Sequence, residues 1–171
     1  MKNKFNFLGL ILITFLVSCS SSDEEQIKEE LTTLGSTQIG LIDDQRILDA
    51  ESEPGNWLAH GRTYEERRFS PLTGINKENV SELGLVWSKD MGTNRALEAT
   101  PIVVDGIMFF TSTWSRVYAV DALTGETIWK FDPKVPGEWA RKACCDIVNR
   151  GVAVYNGKVY SASLDGRLFA I

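Results

Sequence analysis

The chain has 171 residues, a formal net charge of −5, one histidine and three cysteines. The acidic balance excludes the basic surface on which most nucleic-acid-binding proteins depend. One histidine and a single pair of neighbouring cysteines argue against a zinc site of the usual composition.

The N-terminus has the pattern of an export signal. Lys2 and Lys4 precede an apolar stretch at 5–17 that is too short to span a bilayer comfortably. The stretch ends in the letters LVSC, which resemble the bacterial lipobox. Residues 1–18 are therefore predicted to be a lipoprotein signal peptide, and Cys19 the lipidated N-terminus of the mature protein. An ordinary signal peptide and an uncleaved anchor are the alternatives.

Lipidation predicts an exported protein, held by acyl chains in the periplasm or cell envelope. The outer membrane of a Gram-negative bacterium is the expected location. Residues 19–40 are polar and acidic, which predicts a flexible tether. The acidic cluster at 23–25 is either a surface-export tag or a solubilising linker. Without Lys2 and Lys4 the formal charge becomes −7.

From about residue 41 the composition becomes globular. A short helix is predicted with Asp43 near its start, with Ile42, Ile47 and Leu48 on one face, and with its end at Pro54.

A second short helix is predicted at 76–83, with Asn76 as its cap and Gly84 at its end. The next segment, 84–90, is rich in β-forming residues and predicts a strand.

The remainder predicts short strands. Asp105-Gly106 and Asn156-Gly157 each separate two β-branched or aromatic runs, which is a hairpin signature. The predicted strands have the sequences TPIVV, IMFFTST, RVYAVD, ETIWKF, GVAVY, KVYSAS and RLFAI. Turn signals every eight to twelve residues, with no long helix between them, indicate an all-β fold.

The strands also repeat. Residues 103–120 align without a gap with residues 154–171 at an offset of 51, and the two turn dipeptides coincide. A repeat of this length with about four strands indicates a propeller blade, unless the similarity of the two hairpins is accidental. The second copy stops at Ile171, one residue before its aspartate is due. We therefore expect the N-terminal piece of a longer protein, truncated within a blade.

The stretch AVDALTGETIW (119–129) resembles the tryptophan-docking motif of the quinoprotein dehydrogenases. The resemblance covers about residues 41–171. It implies that this range forms the N-terminal blades of an eight-bladed β-propeller that binds pyrroloquinoline quinone (PQQ), with short helices in the lead-in. Trp87 and Trp129 are expected to pack between blades.

The stretch ACCDIVNRG (143–151) resembles the segment that meets the cofactor in this family. It implies that Cys144 and Cys145 form a vicinal disulfide against which the quinone stacks. Such a bridge strains the intervening peptide, and strain of this kind is typical of functional sites. A pair of free thiols and a metal site are the alternatives.

The resemblance also assigns cofactor contacts outside the cysteine pair. Arg150 would stabilise the negative charge that develops on the quinone oxygens, Val148 would lie at the cofactor rim, and Glu98 would reach the cofactor from the preceding blade. The alternative for Arg150 is a surface ion pair with Asp146, and for Glu98 an exposed carboxylate at a strand end. His60 and Asn149 are expected to have structural roles, and no tryptophan at 57, 114 or 139 is assigned to stacking on the cofactor.

By resemblance, the whole protein is an oxidoreductase that converts an alcohol to an aldehyde or ketone and passes electrons to cytochrome c or a quinone. A calcium or lanthanide ion polarises the PQQ, and an aspartate takes the hydroxyl proton. The catalytic base and the metal ligands are expected beyond residue 171, and a haem c domain is a further expectation there. A PQQ-dependent sugar dehydrogenase of the glucose type and a non-enzymatic propeller lipoprotein scaffold are the alternatives.

Overall fold

The computed structural model describes residues 40–171. The predicted signal peptide, Cys19 and all but the last residue of the predicted tether lie outside this range, so they stay predictions. The helices are α1 (Asp44–Leu48) and the 3-10 turns Ala50–Ser52, Val80–Glu82, Thr113–Ser115 and Gly137–Arg141. The strands are β1 (Ile102–Val104), β2 (Ile107–Thr111), β3 (Val117–Asp121), β4 (Thr127–Phe131), β5 (Ala153–Tyr155), β6 (Lys158–Ala162) and β7 (Leu168–Ala170).

The strands form two antiparallel sheets in sequence order, β1-β2-β3-β4 and β5-β6-β7. Both predicted hairpins are present. Asp105 and Gly106 have φ of 53° and 78°, and Asn156 and Gly157 have φ of 47° and 71°, as a type I′ turn requires. The all-β prediction is confirmed. Among residues 40–171 no helix is both long and apolar enough to cross a membrane.

The two sheets share one register, which confirms the sequence repeat. Val104 pairs with Ile107 across the first turn, and Tyr155 pairs with Lys158 across the second. Each pair is displaced from its counterpart by the 51 residues that separate the aligned sequences. The two hairpins are therefore copies of one structural unit.

The apolar core lies where the two sheets meet. Alternating side chains of the first hairpin point into it, because successive residues of a strand face opposite sides. Phe109 packs on Trp129 with ring centroids 6.0 Å apart, and Phe131 packs on Phe169 at 5.1 Å. Phe109 and Trp129 belong to the same sheet, so this contact makes Trp129 a packing residue, and its predicted packing between blades stays a prediction. Phe109 is buried, and full burial of a phenylalanine side chain stabilises a fold by about 1.5–3 kcal/mol.

Trp87 docks on the turn between β3 and β4. Its Nε1 donates to the carbonyl oxygen of Ala122 at 3.2 Å, and its ring lies against Gly125. A Cβ at position 125 would stand 2.5 Å from Trp87 Cε3, so the close approach depends on glycine. Trp87 is therefore a packing residue, and its predicted packing between blades stays a prediction.

Three local predictions in the lead-in are wrong. Within the predicted helix 76–83 only Val80–Glu82 is helical, as a single 3-10 turn, although the Asn76 side chain accepts from Glu78 N at 3.0 Å as an N-cap does. Segment 84–90 has no strand partner among the described residues. Leu48 is 65% exposed, because α1 ends there after five residues.

Residues 40–46, which we call the N-terminal clasp, join the two hairpin turns. Arg46 Nη1 donates to Asp105 Oδ2 at 3.0 Å, and the Ile42 carbonyl accepts from Asn156 N at 2.8 Å. Asp43 caps α1, as predicted, by accepting from Arg46 N at 2.8 Å. The clasp therefore fixes the relative position of both copies of the repeat.

Replacing Arg46 with glutamine is expected to destabilise the full-length protein by about 2–3 kcal/mol at neutral pH. Arg46 also pairs with Glu53 at 2.8 Å, and all three side chains are about a quarter exposed or less. Hydrogen bonding from Arg46 lowers the pKa of both Asp105 and Glu53. Carboxylates with lowered pKa stabilise the fold above their ordinary pKa near 4, and this contribution is lost as pH falls through the lowered values.

The destabilisation by the Arg46 substitution should therefore shrink as the pH falls below about 4. Melting curves of both proteins from pH 7 to pH 3 measure this. Arg67→Gln is the matched control, because Arg67 pairs with Glu65 at 2.7 Å but both side chains are more than 60% exposed. Equal effects of the two substitutions would contradict the role of the clasp.

Candidate functional site

Two adjacent thiols form the centre of the site. Cys144 and Cys145 follow the 3-10 turn Gly137–Arg141, and both are exposed. The structure has them as free thiols with Sγ atoms 2.8 Å apart. Hydrogen bonding with the neighbouring thiol raises the pKa of Cys144. The predicted disulfide stays a prediction, and the proximity of the two sulfur atoms is compatible with it.

Arg150 and Glu98 form an ion pair beside the thiols. Arg150 Nη2 lies 2.7 Å from Glu98 Oε2, with the side chains 64% and 37% exposed. The alternative partner considered for Arg150, Asp146, pairs instead with Arg95. The structure thus brings together two residues that are 52 positions apart and that were assigned to one site.

The backbone of this loop is anchored to the first sheet. The Arg150 carbonyl accepts from Thr100 N at 3.0 Å, just before β1 begins. The Ile147 carbonyl accepts from Trp114 N at 3.0 Å, in the connection between β2 and β3. Val148 is 7% exposed and packs in the interior. Its predicted contact with the cofactor rim stays a prediction.

Asn149 holds the loop in place, as expected for a structural residue. Its Oδ1 accepts from Gly151 N at 3.1 Å, and its Nδ2 donates to the Ala162 carbonyl at 2.7 Å. Thr111 Oγ1 donates to the Asn149 carbonyl at 2.9 Å. Because Thr111 ends β2 and Ala162 ends β6, the loop that carries Arg150 is tied to both sheets.

The remaining candidates have local partners. His60 Nε2 lies within hydrogen-bonding distance of Arg68, in keeping with a structural role. Lys142 Nζ lies 4.0 Å from the centroid of the Trp139 ring, a cation–π contact. Within residues 40–171 no group of three or more His, Cys, Asp or Glu side chains could hold a metal ion.

Arg95 was missed by the sequence analysis. It lies 51 positions from Asp146, and no local pattern links the two. Two ion pairs, Arg95–Asp146 and Arg150–Glu98, therefore lie next to the exposed thiols. A sulfur surface, two guanidinium groups and balanced carboxylates suit a planar, polar group that gains negative charge during a reaction.

A PQQ family model, described as "Glucose/ethanol/alcohol dehydrogenase, beta-propeller domain", matches residues 57–171. The chain belongs to this family. The match confirms that the two sheets are part of a quinoprotein dehydrogenase β-propeller, and it includes the whole candidate site. The number of blades stays a prediction.

Three dehydrogenases illustrate the similarity. The chain is 54% identical over 127 residues to the alcohol dehydrogenase (quinone) dehydrogenase subunit of Komagataeibacter europaeus, covering 74% of this chain and 17% of that one. A quinohemoprotein alcohol dehydrogenase structure from Pseudomonas putida HK5 matches with a TM-score of 0.76 and 55% identity, covering 78% of this chain and 19% of that one. A europium-containing methanol dehydrogenase structure matches with a TM-score of 0.69 and 37% identity, covering 75% and 23%.

The chain therefore spans about a fifth of the length of these dehydrogenases.

Proposed function

We propose that the full-length protein is a PQQ-dependent oxidoreductase that converts an alcohol to an aldehyde or ketone. The observation that carries this proposal is the placement of Cys144, Cys145 and the Glu98–Arg150 ion pair on one exposed surface of the propeller segment. The three relatives described above are alcohol or methanol dehydrogenases, which favours an alcohol over a sugar.

The residues at this surface fit a bound quinone. PQQ is planar and, when bound, supplies the electron acceptor for the hydride of the alcohol. The sulfur atoms of Cys144 and Cys145 offer a polarizable surface on which a planar ring can stack. Arg150 is exposed and can donate to oxygens that gain negative charge. Glu98 orients Arg150 and balances its charge in the absence of substrate.

Other components of the reaction are proposed to come from the rest of the protein. Relatives contain a metal ion in one case and a haem in another, according to their names. A calcium or lanthanide ion, its ligands and the catalytic base would lie outside this chain. Electrons would pass to cytochrome c, to a haem c domain of the same protein or to a quinone.

The proposed location is the cell envelope, outside the cytoplasm. The export pattern and the lipobox-like sequence ending at Cys19 support it. An acyl chain at Cys19 would hold the enzyme at the membrane, which brings it close to a quinone or cytochrome acceptor. Incorporation of labelled palmitate into the wild-type protein, and its loss in Cys19→Ala, would support this placement.

Titration of the cofactor-free full-length protein with PQQ tests the proposed function. We expect saturable binding and, with calcium or a lanthanide present, oxidation of small primary alcohols in preference to glucose. Mass spectrometry of the peptide with Cys144 and Cys145 is expected to show the loss of two hydrogen atoms, the signature of the disulfide. Absence of PQQ binding under all these conditions would exclude the proposed function.

A further inference from the structure

We propose that Arg95 is a positioning residue that holds the Cys144–Cys145 turn through its ion pair with Asp146. This inference rests on the proposed function: Arg95 would determine where the two sulfur atoms lie and which charges surround them. Arg95 touches neither thiol, so its effect would be transmitted through Asp146.

The two segments involved are joined at three points. Arg95 pairs with Asp146, Glu98 pairs with Arg150, and Thr100 N donates to the Arg150 carbonyl at 3.0 Å. The order of the residues is the same on both segments, so the contacts run side by side. Arg95–Asp146 is the contact at the thiol end of this series.

The ion pair lies where the chain turns. Asp146 has φ of 71°, a left-handed conformation that aspartate adopts more often than most residues other than glycine. It directly follows Cys145, so the direction of the chain at Asp146 determines where the sulfur atoms lie. Within residues 40–171, Arg95 is the only side chain that forms a hydrogen bond or an ion pair with the Asp146 carboxylate.

The ion pair also sets the charge beside the thiols. With Arg95 present, each of the two carboxylates near the site, Glu98 and Asp146, has its own guanidinium partner. Removal of Arg95 leaves the Asp146 carboxylate unbalanced next to the sulfur atoms. A nearby negative charge disfavours a thiolate and any other group that gains negative charge.

Thiol alkylation separates this role from a general structural one. In the reduced, cofactor-free full-length protein, Arg95→Gln is expected to slow alkylation of Cys144 and Cys145 by iodoacetamide about 3–10-fold, because the thiolate is the reacting form. Asp146→Asn is expected to speed alkylation, because it removes the negative charge and leaves that of Arg95. The alkylation rate of the double variant, Arg95→Gln with Asp146→Asn, should lie close to that of the wild type, since both charges are then absent.

PQQ affinity provides the second readout. Arg95→Gln should weaken PQQ binding about 5–20-fold, and Arg95→Lys should recover part of the loss because the charge is kept. Arg67→Gln, which removes an exposed ion pair elsewhere, is expected to change neither readout. If Arg95→Gln unfolds the protein, Arg95→Lys and Asp146→Asn still decide the question.

If the Arg95→Gln protein folds and has the same alkylation rate and PQQ affinity as the wild type, the positioning role is overturned. Equal slowing of alkylation by Arg67→Gln would overturn it too. Failure of the wild type to bind PQQ would reject the proposed function alone, because the alkylation comparison would still report on Arg95.

Discussion

Replacing Arg150 with glutamine is expected to lower kcat/KM for alcohol oxidation by the full-length protein about 10²–10³-fold, the usual effect of removing one donor to a developing negative charge. Arg150 is 64% exposed and has Glu98 as its ion-pair partner, so its guanidinium is available at the surface that would receive the quinone. The substitution also leaves Glu98 without its positive partner, which adds repulsion to the loss of the donor.

Two companion variants make the Arg150 result specific. Arg150→Lys keeps the charge but loses the planar fork of donors, so an intermediate loss is expected. Glu98→Gln combined with Arg150→Gln should lose less than the product of the single effects, because the unbalanced carboxylate is gone. Arg141→Gln is the control, since Arg141 is an exposed arginine of the preceding 3-10 turn. Near-normal turnover in Arg150→Gln would remove this residue from the proposed site.

Replacing Gly125 with alanine should destabilise the full-length protein by about 2–5 kcal/mol. Two causes add. Gly125 has φ of 74°, which costs an L-residue about 1–2 kcal/mol. The new Cβ would also stand 2.5 Å from Trp87 Cε3, and relieving such overpacking costs about 1–3 kcal/mol.

Gly106→Ala separates the two causes. Gly106 has φ of 78°, close to that of Gly125, but a Cβ there would meet nothing within 4 Å. It should therefore show only the conformational cost of about 1–2 kcal/mol. Melting temperatures of the two variants, measured with and without Trp87→Ala, report the difference. If both glycine variants melt at the same temperature, the close packing of Trp87 on the turn does not contribute to stability.

The hairpins could be predicted from sequence because their signals are local. Asp105-Gly106 and Asn156-Gly157 supply two successive residues that tolerate positive φ, and the flanking alternation sets the register. The repeat then extends the prediction from one sheet to the other. By contrast, segment 84–90 has the composition of a strand, but a strand also needs a neighbouring strand to pair with. Composition does not show whether such a neighbour is present.

The site was predictable where it follows a contiguous motif. Cys144, Cys145 and Arg150 stand within seven residues, and their surroundings are typical of the family. The Arg95–Asp146 pair depends on how two loops 51 positions apart approach each other, which only the folded chain determines. For the same reason, the sequence left an ion pair with Asp146 open as the alternative for Arg150, whereas the folded chain pairs Arg150 with Glu98.

The N-terminal clasp has a consequence for the order of folding. Its contacts join residues far apart in the chain: Arg46 reaches Asp105 over 59 positions, and Tyr155 OH donates to Asp44 over 111. The hairpins close over a few residues, and local contacts form faster than distant ones. The segment that precedes both hairpins in the chain is thus the one that is expected to reach its native place after them.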